Sequence, residues 1–266
     1  MTTTTTDYGW LAGSMSKAEL TKLKKRRGLF WTTLLLSFGS VIVYYAVLEI
    51  MHLIAPATHG VAGGTLNLSR AINIETLIGG TAAILVGANA GAGDSNGVFR
   101  DLVATGRSRV GLFFARISGA VGMFWPMFIA AFLTMALVST TLAGSGVNAA
   151  PSLGTLAHYG AIALLSTTFE LLLALGLASF TVSKSATIAV LMAWEFIVQQ
   201  LLLLITWFGV FREILPLSSI GRLSPRAHGP LRFVPGESAF VAVAVLVVWT
   251  ALAVWLGAFK TKRMDA

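Results

Sequence analysis

The sequence predicts an all-α, polytopic membrane protein with six transmembrane helices, an N-terminal amphipathic interfacial helix and both termini in the cytoplasm. Three observations lead there. The 266-residue chain is 56% hydrophobic and only 11% charged, where an ordinary soluble domain carries about 25% charged residues. Its apolar residues gather in runs near the roughly 20 residues needed to cross a bilayer. Its lysines and arginines stand at the ends of those runs, which accounts for the net charge of +8 without a nucleic-acid partner.

Residues 1–28 form a cytoplasmic tail and helix. Residues 1–15, which begin with a Thr tract, carry no periodic apolar pattern and are expected to be disordered. Ser16-Lys17-Ala18-Glu19 then matches a capping box, with Met15 and Leu20 placed as a hydrophobic staple. Lys17, Lys22, Lys24, Lys25, Arg26 and Arg27 make the helix basic. Such a helix anchors the first span on the cytoplasmic side and binds anionic lipid headgroups. A second role, contact with a cytoplasmic partner, stays open. The long polar lead-in before the first apolar run sets the expectation of no cleavable signal peptide.

Residues 29–259 hold the spans. The first covers 29–53, and a Gly-rich outer segment runs from Ala55 to about Arg70. The second covers 71–93. In it Gly79, Ala83, Gly87 and Gly91 recur every fourth residue, a small-residue ridge that lets another helix approach closely in lipid. The third covers 117–140, with Pro126 expected to kink it. The fourth covers 156–182, and Ser183-Lys184-Ser185 makes a tight inner turn into the fifth, 186–208. Residues 209–238 contain Pro216, Pro225, Pro230 and Pro235. They are too many for a turn and too broken for a span, so short re-entrant or interfacial pieces are expected. The sixth span covers 239–259, and 260–266 is a cytoplasmic tail. With both ends inside, fourteen lysines and arginines lie on the inner side and five on the outer, in keeping with the positive-inside rule.

The loop 94–116 is the long mixed-charge segment between two spans on the inner side. Val98, Phe99, Leu102 and Val103 fall at helical spacing among Asp94, Arg100 and Asp101. That pattern predicts a short amphipathic helix under the membrane, available to a partner protein.

Several chemistries find no footing. Gly-x-x-x-x-Gly-Lys-Ser/Thr is absent, so any ATP-driven step needs a separate ATPase chain. Gly93, Ser95 and Gly97 match Gly-x-Ser-x-Gly, but a nucleophile elbow needs a preceding strand, and here a membrane helix precedes it. His52, His59, His158 and His228 are scattered near the outer side with no metal-site spacing, and cysteine is absent. No catalytic and no metal-binding residue is assigned.

Intramembrane charge is the remaining signal. Glu170 lies near the middle of the fourth span and Glu195 in the inner half of the fifth, each roughly a dozen residues from Lys184. At about 1.5 Å per residue they reach comparable depth. Glu195, Gln199 and Gln200 give the fifth helix a polar side. Carboxylates in lipid are costly and face the bundle or a wet cavity. Two roles are open: hydrogen-bonded packing groups, or the lining of a translocation path for cationic or amphiphilic substrates through Glu170, Glu195 and Gln199.

The chain resembles the permease subunits of ABC type-2 exporters. Their loop between spans two and three carries an acidic residue, a Gly, a Leu, then Thr-Pro-x-Ser-Arg and a later basic residue. Here these correspond to Asp94, Gly97, Leu102, Thr105, Ser108, Arg109 and Arg116, with Gly106 where Pro is usual. The resemblance implies a permease that pairs with a second permease chain and with two ABC ATPase subunits carrying ATP and Mg. It implies a cell-membrane location and export of a hydrophobic or amphiphilic substrate. It makes residues 94–106 a coupling helix, with Phe99 and Leu102 as apolar anchors and Asp94, Asp101 and Arg109 orienting it. The alternative is a secondary transporter or channel without an ATPase, which more naturally shows internal repeats. An integral-membrane enzyme would need clustered His or carboxylates on one face.

Overall fold

The computed structural model of the protein describes residues 8–92, 108–225 and 238–263. Among the described residues all regular structure is helical. Six helices are long and apolar enough to cross a membrane. In chain order the helices are α1 (Tyr8–Lys25), α2 (Arg27–Ile54), α3 (Thr65–Gly91), α4 (Arg109–Thr141), α5 (Leu153–Thr181), α6 (Lys184–Leu204), α7 (Pro216–Leu223) and α8 (Ala239–Arg263). The candidate spans are α2 to α6 and α8.

α1 begins earlier than the capping-box pattern predicts. Residues 8–15 are helical, so Ser16 lies inside the helix and is not its cap. Glu19 instead pairs with Lys22, 3.6 Å away. The helix packs along α4 where Gly119 has no side chain: a Cβ there would meet Glu19 and the backbone of Leu20. Leu23 is buried in the same contact region, while Lys17, Lys24 and Lys25 remain exposed.

The span boundaries shift mainly at helix ends. α3 starts at Thr65, so Arg70 stands within the helix rather than in the outer loop. α4 starts at Arg109, and the last residues of the 94–116 segment are therefore helical. Ser108 caps it, its hydroxyl oxygen accepting the Gly111 N–H. The helical run continues unbroken through Pro126. Lys184 and Ser185 belong to α6; the turn is only Val182, in the left-handed region at φ 56°, and Ser183, whose hydroxyl caps α6. α6 ends at Leu204, before Trp207 and Phe208, because a 3₁₀ segment (Thr206–Ile214) broken at Gly209 takes over. Lys260, Lys262 and Arg263 continue α8 instead of starting a loose tail.

α3 and α5 form the centre of the bundle. About two-thirds of the most apolar stretch of each is buried, against a third or less in the other four spans. Apolar burial does not drive helices together inside lipid, so close approach of backbones must. Gly87 and Gly91 supply it, set against the carbonyls of Leu171 and Leu175. The ridge slips at its N-terminal end. Residues Glu75–Gly79 form a π-helical turn, which inserts one extra residue. Gly80, not Gly79, therefore faces α5, and the space above Gly79 is filled by its own helix's Glu75. On its other side α5 meets α8 at Gly176, against the Ala253 carbonyl and Gly257.

The two ends of the bundle are tied separately. At one end the loops after α2 and α4 clasp: the N–H groups of Gly63, Gly64 and Thr65 donate to the carbonyls of Leu142, Ser139 and Ala149. Gly64, at φ 95°, lies against the Asn148 backbone where a side chain would not fit. The other end gathers the start of α2, the end of α3, the start of α4 and the end of α8, held by arginine side chains. Between the ends, Tyr45 and Ser139 hydroxyls at 2.6 Å join α2 to α4, and Trp125 Nε1–H donates to Thr168 Oγ1 to join α4 to α5.

Candidate functional site

Glu170, Glu195 and Gln199, placed on two helices by sequence, meet at one cavity of about 30 Å³. That volume is about one water molecule. α5 contributes Glu170, which is 4% exposed. α6 contributes half-buried Glu195, buried Gln199 and Gln200. α3 contributes Thr76 and Leu77, and α7 closes the space with Pro216, Leu217 and Ile220. Glu195 stands in another π-helical turn, Trp194–Val198, with Gln199 directly after it. π-helical turns recur where a helix must aim a functional side chain. Glu170 reaches across to α3, where its carboxyl lies over Gly80.

The α7 segment accounts for one of the prolines in residues 209–238. Pro216 stands at the first turn of α7, where its missing N–H costs nothing. The chain leaves the bundle at Leu204 and folds back until Leu217 lies level with Gln199. There the Leu217 N–H donates to Gln199 Oε1 at 2.9 Å. The fold-back is held further by Trp249 of α8, whose indole N–H donates to the Ile214 carbonyl at 2.9 Å. Residues Leu215–Gly221 are buried as a result. Within 209–238, where short re-entrant or interfacial pieces are expected, Pro216–Leu223 is a short helix buried from Pro216 to Gly221; residues 226–237 lie outside the described residues.

One buried carboxylate escaped the sequence reading. Glu75 of α3 is fully buried, and neither of its oxygens has a hydrogen-bond partner among the described residues. It obeys the same rule that flagged Glu170, a charge inside an apolar run, and could have been found by it. It does not line the Glu170–Glu195 cavity.

Of the residues assigned to ATPase coupling, Asp94, Gly97, Phe99, Asp101 and Leu102 lie outside the described residues. Arg109 and Arg116 are placed. Arg109 Nη1 donates to the Lys262 carbonyl at 3.2 Å, joining the start of α4 to the last turn of α8. Arg116 is 5% exposed, and its Nη1 donates to the Gly91 carbonyl at 3.4 Å. Ser179 of α5 donates to the same carbonyl at 3.0 Å. A cation at the C-terminal end of a helix also complements its dipole. Arg26, between α1 and α2, donates to Asn89 Oδ1 at 3.1 Å. The described residues flanking 93–107 are therefore fastened to the α1–α2 junction, to α5, to α8 and to each other.

The described histidines do not assemble. His52 Nδ1 and the His59 carbonyl are 2.7 Å apart, a loop contact. His158 lies beside Tyr159, in an open cleft with Arg222 and Ser224. No group of three or more metal-ligating side chains exists among the described residues. In comparisons with known proteins, no family model matches the chain and no curated protein matches it.

Proposed function

We propose that the chain is the permease subunit of an ATP-driven exporter, forming with a second permease chain the path for a hydrophobic or amphiphilic substrate. A separate ABC ATPase, in two copies, carries ATP and Mg. The observation that carries the proposal is the mounting of the 93–107 loop. Buried Arg116 bonds the Gly91 carbonyl, so the end of α3 and the start of α4 move together. Arg26 and Arg109 extend that unit to the start of α2 and the end of α8. Force applied to a loop rooted this way reaches the central α3–α5 pair directly.

Six crossings put both chain ends on one side, and the distribution of Lys and Arg makes that side the cytoplasm. The exposed lysines of α1 then face the anionic leaflet. Glu170, Glu195 and Gln199 form the polar part of the path and favour substrates that carry a positive charge. The one-water volume of their cavity fits a closed, resting path rather than one holding a large substrate.

A detergent pull-down with a co-expressed ABC ATPase tests the proposal. Wild type retains the ATPase, and a Phe99→Ala, Leu102→Ala double variant loses it. A folded wild-type chain that captures no ATPase moves the assignment to the second reading, a secondary transporter without an ATPase. The Glu170–Glu195 pair at mid-bundle specifically favours that alternative, because ion-coupled carriers place their carboxylates at such depth.

A further inference from the structure

We propose that Glu170 and Glu195, with the oxygens around them, form a binding site for one small monovalent metal cation. Two carboxylates face the same small space, and no Lys, Arg or His lines it among the described residues. Two uncompensated negative charges in a low-dielectric interior are strongly unfavourable. A positive charge between them offsets part of that cost. Glu170 is nine-tenths buried and more, and its Oε2 has no hydrogen-bond partner among the described residues. That oxygen lies against Gly80, and the carboxyl as a whole lines the cavity.

Size and donor chemistry narrow the occupant. About 30 Å³ admits one ion in place of one water and excludes an organic ammonium. The lining side chains offer hard oxygens, those of Glu170, Glu195, Gln200 and Thr76. The Thr76 proton is committed to the Ile72 carbonyl at 2.9 Å, which leaves that oxygen to accept. Oxygen ligands select alkali and alkaline-earth ions over softer metals. An ion that keeps several waters, as Mg²⁺ does, has no room in this space. Gln199 has a different task. Its carbonyl oxygen caps the Leu217 N–H and keeps that donor from competing for the carboxylates.

The inference stands whether or not an ATPase drives the chain, and its test involves no transport. The purified full chain in detergent is unfolded by heat, read by tryptophan fluorescence. Trp194 adjoins Glu195 and its ring lies 6.3 Å from that of Trp249, so the site has its own reporter. NaCl, LiCl and KCl are titrated against N-methylglucamine chloride at fixed ionic strength and pH. Binding raises the unfolding midpoint saturably with one alkali ion, on the order of 5 °C at a hundredfold excess over Kd. The rise disappears in Glu170→Gln, shrinks in Glu195→Gln and persists in Glu75→Gln, whose carboxyl lies outside the cavity. Equal responses to every chloride salt overturn the proposal. So does a full response in Glu170→Gln, or a midpoint that follows pH but no metal ion, which would mean that the carboxyls share a proton. Should Glu170→Gln fail to fold, the wild-type titration and half-buried Glu195→Gln decide alone.

Discussion

The carboxyl group of Glu170, on α5, occupies the space that a Cβ of Gly80, on α3, would fill. Gly80→Ala therefore forces Glu170 away from the cavity or pushes the two central helices apart. Overpacking of this kind costs about 1–3 kcal/mol. The variant should melt at lower temperature in detergent than wild type. Glu170→Ala in the same chain makes room for the methyl group, so the double variant should lose less than the two single losses combined. Additive losses would mean that the two residues do not touch.

Gln199 joins the fifth span to the helix that folds back beside it. Gln199→Leu leaves the buried Leu217 N–H without a partner, at a cost of roughly 1–3 kcal/mol. The consequence should be local. The chain has no cysteine, so Leu217→Cys supplies a single labelling site without further engineering. Labelling by a water-soluble maleimide should be slow in the Leu217→Cys chain and several-fold faster when Gln199→Leu is added. Equal rates would show that α7 is held without the Gln199 bond.

Much of this arrangement was legible in the sequence, and the reasons differ from residue to residue. The six apolar runs stand out because each must satisfy its backbone within one helix. The shared depth of Glu170 and Glu195 followed from their distances to the Lys184 turn, since helical rise is constant. Gly87 and Gly91 followed from four-residue spacing. Gly79 did not, because the π-helical turn that begins at Glu75 adds a residue that no spacing rule shows. The Leu217–Gln199 bond spans a chain reversal, and nothing local to either residue encodes its partner. α1 reached back to Tyr8 because Trp10, Leu11 and Ala12 tolerate a helix, while the capping box at Ser16 was only a sequence match.

Arg116 gives a sharper test of the loop mounting. Arg116→Met keeps an unbranched apolar stem and removes the donor to the Gly91 carbonyl. Ser179 still donates to that oxygen, so the chain should fold with a loss of about 1–3 kcal/mol, typical of a missing charged hydrogen bond. A coupled ATPase should then bind the chain normally but respond less to substrate. Arg116→Lys should recover part of the response, since the positive charge at the α3 C-terminus remains. Unchanged stimulation in Arg116→Met would separate the loop from the core and remove the main support for the permease assignment.

Orientation can be decided with the same cysteine-free background. Thr58 is exposed in the loop after α2, and Lys184 is exposed at the turn that opens α6. The clasp of Gly63 and Gly64 on Leu142 and Ser139 sets the Thr58 loop at the end opposite Arg26, Arg109 and Arg116. α5 carries the chain from that end to the Lys184 turn. In intact cells Thr58→Cys should react with a membrane-impermeant maleimide, and Lys184→Cys only after the membrane is opened. The reverse pattern would put most of the positive charge outside, against the positive-inside rule. A cytoplasmic ATPase would then have no access to residues 94–106, and the coupling role of Phe99 and Leu102 would fall with it. Reaction of both sites in intact cells would instead mean that α3, α4 and α5 do not all cross.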